Sequence, residues 1–295
     1  MKKLAFIYII LAGITWGTSG IFVNFLAPYG FTSPQMTAIR STVTFVGIGC
    51  FLLIRDRSAF RAGFKELLLF IGSGVAFFGT ATSYYAALQA TSISTAVVLL
   101  YTAPVMVMIY SVIFLGEKLT KLKCISVAIM LIGCGLVSGV IGGLKFNLIG
   151  ILLGFLSGVL YSAYNILTKL QMRKGCKPIS ATFYTFLFSA LSSLTLFSPA
   201  ELVKNATAEP FVTVPLMLGL GLVTCVIPYI LYTCALKVLP AGTSSALAIM
   251  EPMSATLFSI IIFHEKLSLP SASGMILILL AVLLLSRADE GEKDG

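Results

Sequence analysis

Charge is what this sequence lacks most. Only 11% of its 295 residues are Asp, Glu, Lys or Arg, against roughly a quarter in a soluble domain. Histidine occurs once, as His264, and aspartate only at Asp56, Asp289 and Asp294. Each shortage excludes a chemistry. One histidine cannot supply an HExxH helix or any metal site built on a histidine pair. Aspartates confined to a loop and the tail leave no acid-rich diphosphate site inside the apolar segments. No Gly-Lys dipeptide occurs, so there is no Walker A loop and no self-contained ATP-driven pump. The six cysteines (Cys50, Cys124, Cys134, Cys176, Cys225 and Cys234) sit in or beside apolar stretches without metal-ligand spacing. They read as small packing residues, not as a disulfide framework. No enzymatic activity, cofactor or metal is expected.

Apolar residues fill the space that charge leaves. They make up 58% of the chain, and the mean hydropathy is +1.02. A soluble fold of this length cannot hide so much apolar surface, whereas a bilayer removes the difficulty. About twenty apolar residues cross roughly 30 Å of hydrocarbon. Ten segments approach that length: 4–26, 34–54, 67–88, 93–115, 122–140, 147–168, 179–198, 212–236, 243–263 and 269–286. Their runs are continuous rather than alternating, which selects helices over a barrel. Met1-Lys2-Lys3 before the first run resembles a signal peptide, but Leu4 to Leu26 is long enough to span and reads as an uncleaved helix.

The net charge of +9 does not point to nucleic acid, because no dense basic run occurs on a soluble segment. Basic residues instead set orientation. Sixteen of the twenty fall on the amino-terminal side of the ten segments, among them Lys2, Arg55, Lys118, Lys169 and Lys237. Lys145, Lys204 and Lys266 fall opposite, and Arg40 lies between. Both termini are therefore expected in the cytoplasm.

A repeat organises the chain. Residues 84–119 align without a gap onto 232–267, matching Tyr84 with Tyr232, Thr95 with Thr243, Pro104 with Pro252 and Glu117-Lys118-Leu119 with Glu265-Lys266-Leu267. We expect five-helix halves at 1–141 and 147–286, followed by a charged cytoplasmic tail at 287–295. Five is odd, so the second copy enters the membrane inverted. Such inverted repeats build carriers that open alternately to either side.

Two ionisable residues fall deep in the apolar segments: Arg40 in the second and Glu251 in the ninth. Charge at that depth costs about 2.5–3.5 kcal/mol on insertion scales and marks function or pairing. Glu251 precedes Pro252, whose missing amide frees a carbonyl and opens a polar spot. Desolvation favours the neutral form of a buried carboxyl, so Glu251 is the candidate for proton coupling or for holding a cationic solute. The structural alternative for Glu251 is a partner for Arg40 or for helix-end hydroxyls, and Arg40 is the structural intramembrane charge. Trp16, the only tryptophan, lies among glycines too deep for an interfacial belt and suits a cavity wall. Tyr84, Tyr101, Tyr161 and Tyr232 carry hydroxyls that lipid would leave unpaired, so they join Trp16 and Glu251 as substrate-binding candidates. Pro104 and Pro252 are the hinge candidates.

Together these stretches resemble the EamA family of the drug/metabolite transporter superfamily. The likeness is carried by Thr15-Trp16-Gly17, Pro34 with Ala38-Ile39-Arg40, Tyr101-Thr102-Ala103-Pro104, Gly116-Glu117-Lys118-Leu119, Met250-Glu251-Pro252 and Glu265-Lys266-Leu267. The resemblance implies ten helices around a central cavity lined mainly by helices 1, 3, 4, 6, 8 and 9. It also implies transport of amino acids or other small metabolites, often outward. Ser157-Gly158 stands where many relatives have tryptophan, and His264 replaces the usual glycine. The resulting expectation is a multi-pass cell-membrane secondary transporter, an exporter of a small polar or amphipathic metabolite, with a passive channel or membrane scaffold as the alternative. Its partners are that solute and the bilayer, not nucleic acid. Tags at Glu117 and Glu265 are expected to be reached from opposite faces of the membrane; access from one face only would abolish the inverted relationship.

Overall fold

The computed structural model describes residues 2–139, 147–196, 198–264 and 266–291. Lys145 and Glu265, whose sides of the membrane are expectations from the sequence, lie outside the described residues, as do the end of the expected segment 122–140 and the last four residues of the tail. Among the described residues the chain is helical, without strands. The first rod comprises α1 (Lys2–Gly17) and α2 (Ser19–Leu26); the second and third are α3 (Ser33–Arg55) and α4 (Phe64–Ala90). Next come α5 (Ile93–Leu100) continued by α6 (Ala103–Leu115), then α7 (Lys121–Val137). The second half contains α8 (Leu148–Arg173), α9 (Pro178–Ser193), α10 (Pro199–Ala208) and α11 (Pro210–Gly221). A π-helical turn at Leu222–Val226 leads into α12 (Ile227–Leu236), followed by α13 (Ala241–Leu247), α14 (Met250–Phe263) and α15 (Leu269–Gly291).

Among the described residues eight rods have the length and apolarity to cross a membrane. The other two expected segments form helices of 17 and 16 residues, α7 and α9. Helix α10 was not anticipated. Pro199 starts it and Pro210 starts its successor, and between them Glu201, Lys204 and Asn205 keep it at the surface, where Asn205 Nδ2 donates to the Gly30 carbonyl at 2.9 Å.

Small residues set the helix crossings, because close backbone approach is how helices gain dispersion energy without a hydrophobic drive in lipid. Gly13 lies against Met250 and Gly17 against Ser254, so α1 runs parallel to α14. Gly150 meets Thr91, and Gly158 meets Leu99 and Thr102, so α8 runs parallel to the α5–α6 rod. Gly133 touches Gly274 and Ile278 while Gly274 reaches Val137, which makes α7 and α15 antiparallel. On α3 and α9, Ser41 pairs with Ser189 at 2.9 Å and Gly49 meets Phe183, again antiparallel. A buried polar seam adds to this packing: Ser73 bonds Thr185 at 2.9 Å, and Gln171 Nε2 donates to Ser73 Oγ at 3.0 Å.

The α7–α15 crossing gives a direct test. A Cβ at Gly274 would stand 2.6 Å from the Gly133 carbonyl oxygen, too close for any rotamer to relieve. Gly274→Val is expected to cost about 1–3 kcal/mol by overpacking and to lower the melting temperature in detergent. Gly20→Ala, with nothing within 4 Å, should leave it unchanged. Equal melting of Gly274→Val and the parent would contradict this crossing.

Candidate functional site

Besides the first rod, which turns at Thr18 between α1 and α2, three rods are interrupted in mid-course, each beside a proline. Pro104 cannot donate to the carbonyl of Leu100, and the chain turns at Tyr101-Thr102 before α6. Pro252 cannot donate to Ala248, and the chain turns at Ala248-Ile249 before α14. Pro228 follows the π-helical turn in the same way. Glu251 therefore sits in the first turn of α14, where the helix dipole favours negative charge.

These breaks surround a cavity of about 250 Å³. Trp16, Ser19, Arg40, Phe77, Thr80, Ala81, Tyr84, Tyr85, Leu100, Tyr101, Tyr161, Tyr229 and Glu251 line it. Of the residues expected from the sequence, Trp16, Tyr84, Tyr101, Tyr161 and Glu251 meet here, and Arg40 joins them. Both charged residues are only partly buried; the surface they retain faces this space. Arg40 Nε donates to Cys225 Sγ at 3.2 Å, and Tyr101 Oη donates to Glu251 Oε2 at 3.3 Å. No ion pair joins Arg40 to Glu251 among the described residues. The two opposite charges share one cavity, each held by a different neighbour.

Tyr232 is placed elsewhere. It is fully buried behind Trp16, with ring centroids 5.4 Å apart, and its hydroxyl donates to Asn165 Oδ1. Asn165 in turn donates to the Tyr161 carbonyl at 2.7 Å. Tyr232 thus braces the wall instead of facing the cavity. Tyr229, one turn earlier, is the residue of α12 that lines it, packed edge-on against Trp16 at 5.0 Å and Phe77 at 5.3 Å. Sequence reasoning passed over Tyr229 and Cys225. The available signal was Pro228, which announces an irregular turn at that depth. Pro104 and Pro252 stand directly after their breaks, outside the cavity lining.

At the end of the bundle that carries the start of α1, polar side chains tie the helix ends together. Lys169 Nζ donates to the carbonyls of Leu236 at 2.8 Å and Leu239 at 2.5 Å. The Ala241 amide donates to Glu117 Oε1 at 2.9 Å, and Arg173 Nη2 donates to the Leu115 carbonyl at 2.6 Å. The turn from α12 to α13 is thereby capped at both helix ends. Nearby, Lys177 pairs with Asp56 at 2.5 Å. That hydrogen bond, with Ser58, holds the Asp56 carboxyl below the usual carboxylate range. At this solvent-exposed site the pair adds little.

Comparison with known proteins places the fold. A family model described as the EamA-like transporter family matches residues 3–139 and again 148–287. An uncharacterized transporter of Archaeoglobus fulgidus is 30% identical over 95% of each chain. The uncharacterized transporter YwfM of Bacillus subtilis is 24% identical, covering 97% of this chain and 95% of its own. A solved crystal structure, 20% identical and covering 95% of each chain, superposes with a TM-score of 0.79; that likeness concerns the fold alone.

Lys169→Ala is expected to leave two buried carbonyls without their donor, at about 1–3 kcal/mol, and to lower the melting temperature accordingly. Glu117→Gln keeps an acceptor for the Ala241 amide and should cost much less. Equal melting of the parent and Lys169→Ala would show that this cap holds nothing.

Proposed function

The chain belongs to the EamA-like transporter family, and from that membership we propose that it is a secondary carrier of a small polar or amphipathic metabolite, such as an amino acid. On this reading it works by alternating access as an exporter in the cell membrane, with both termini in the cytoplasm, and catalyses no reaction. Ten crossings form two inverted halves, 1–141 and 147–286. The helix directions support this. The first and ninth rods run parallel, as do the fourth and sixth, while the second opposes the seventh and the fifth opposes the tenth. Ten successive crossings generate that set of directions.

The observation that carries the proposal is the meeting of Arg40 and Glu251 in one aromatic-walled cavity without a direct ion pair. Two charges at membrane depth are expensive unless a solute or water answers them, and a scaffold has no use for either. Trp16, Tyr84, Tyr101 and Tyr161 form the substrate wall in this reading, with Tyr232 as the brace behind it. Pro104 and Pro252 act as hinges, and Glu251 carries the coupling proton.

Saturable counterflow of a labelled solute in proteoliposomes tests carriage, since a passive channel or scaffold gives none. In the same assay Glu251→Gln is expected to flatten the pH dependence of uptake while expression stays intact. Transport by the parent that does not vary between about pH 5 and 8, the range in which a perturbed carboxyl would titrate, would remove the coupling role.

A further inference from the structure

Resting on the reading of this cavity as the substrate site, we infer that its substrate is a small zwitterion with an alkylated ammonium at one pole and a carboxylate at the other. The ammonium lies among the rings beside Glu251, and the carboxylate lies on Arg40.

The argument starts from what the two charged groups lack. A guanidinium offers five N–H donors. Arg40 has one described partner, the weakly accepting sulfur of Cys225, reached through Nε. Its forked end is the geometry that binds a carboxylate through two parallel hydrogen bonds. A carboxylate offers about four acceptor positions. Glu251 receives one described hydrogen bond, a long one from Tyr101 at 3.3 Å. Both groups are therefore short of partners, both keep surface towards the same cavity, and neither satisfies the other.

Charge balance decides what kind of solute answers them. The cavity holds one positive and one negative group. A cation alone would neutralise Glu251 and leave Arg40 unanswered at membrane depth; an anion alone would do the reverse. A zwitterion answers both and adds no net charge.

The walls decide what kind of cation. Around Glu251 and across the cavity stand Trp16, Phe77, Tyr84, Tyr101, Tyr161 and Tyr229. A primary ammonium needs three hydrogen-bond acceptors, and here they would be Glu251 and the hydroxyls of Ser19, Thr80 and the tyrosines, whereas aromatic rings make up most of the wall. An ammonium whose protons are replaced by methyl groups needs no acceptors and is attracted to ring faces, which is the functional use of aromatic cages. The volume of about 250 Å³ lies below the range of drug-sized pockets and suits a compact solute.

The test is a melting-temperature titration of the purified full chain in detergent with four probes at equal concentration. They are glycine betaine, with both poles; choline, with the cation only; pivalate, with the anion only; and glycine, with both poles but a primary ammonium. We expect glycine betaine to raise the melting temperature saturably, glycine to do so with an affinity at least about tenfold weaker, and choline and pivalate to have little effect. Arg40→Gln should abolish the betaine shift and make choline a stabiliser, because Glu251 is then the lone charge. Glu251→Gln should weaken the betaine affinity at least about tenfold and make pivalate the stronger stabiliser. This reciprocal exchange cannot come from poor folding, which would weaken every probe alike. Absence of a betaine shift in the parent, a choline, pivalate or glycine shift as large as that of betaine, or loss of all responses in both variants overturns the inference. Counterflow separates the two readings: saturable counterflow of another solute without a betaine shift leaves the carrier standing and removes the zwitterion, while a betaine shift without counterflow of betaine does the opposite.

Discussion

Hydrocarbon offers no hydrogen-bond partner, and this constraint shapes the whole molecule. A polar group at membrane depth is costly unless it is answered within the protein or faces a wetted space, and the buried exceptions among the described residues include Trp16 Nε1 and the hydroxyls of Ser111 and Thr243–Ser245. Most polar groups are answered locally. Thr15, Thr44, Thr80, Ser126 and Thr168 return their hydroxyls to carbonyls three or four residues back, so a hydroxyl on an apolar helix need not mark a site. Others are answered across helices, as in Ser41 with Ser189 and Gln171 with Ser73. Lys169 spends its charge on two helix-end carbonyls. Set against so many settled polar atoms, Arg40 and Glu251 stand out among the described residues as charged groups in mid-helix whose remaining capacity faces a cavity.

The same constraint explains why the rods break where they do. A missing proline amide breaks the regular hydrogen-bond ladder, and irregular backbone is tolerated only where protein or a cavity surrounds it; the Ala248 carbonyl, for example, accepts from the Glu251 amide at 3.0 Å instead. Pro104 and Pro252 fall at matching places in the two copies, and both breaks adjoin the cavity: Tyr101 lines it from one and Glu251 from the other. Pro228 follows the π-helical turn that brings Cys225 to Arg40. Irregular backbone and unanswered charge are thus gathered in one place, and the remaining helices can stay regular.

Much of this was legible in the sequence, for a definite reason. A spanning helix demands a continuous apolar run, so the long rods stand out without any knowledge of packing. Helix α10 does not, because a ten-residue surface helix containing Glu201 and Lys204 has no such run. Arg40 and Glu251 were conspicuous for the same reason in reverse, as charges in apolar surroundings. Their neighbours were not. A cysteine in an apolar segment carries no sign that it will meet a guanidinium, so Cys225 read as packing. Helix α12 is apolar on every side, and a helix without a polar face gives no clue to which tyrosine points inward. Hence Tyr232 was expected in the lining, and the structure puts Tyr229 there.

The exchange of Tyr229 for Tyr232 leads to a wider point about the aligned copies. Tyr84 lines the cavity, whereas its match Tyr232 is sealed behind it. Val97 to Leu100 are partly open, whereas their matches Ser245 to Ala248 are almost wholly buried. One pattern of residues occupies two environments, closed at the end capped by Lys169 and Glu117 and looser at the other. In the carrier reading, alternation means that these environments change places, and the buried copy shows the packing that such a segment can reach. The exchange would not be symmetric in its chemistry. The closed copy carries the smaller Ser245-Ala246-Leu247-Ala248, and the turn before it is locked by hydrogen bonds to a lysine and a glutamate. The open copy carries Val97-Val98-Leu99-Leu100, whose closure would rest on apolar contact. The two closed states would then differ in what holds them, one by directional polar bonds and the other by packing. A solute that satisfies Arg40 and Glu251 together would remove the main cost of closing either end over the cavity.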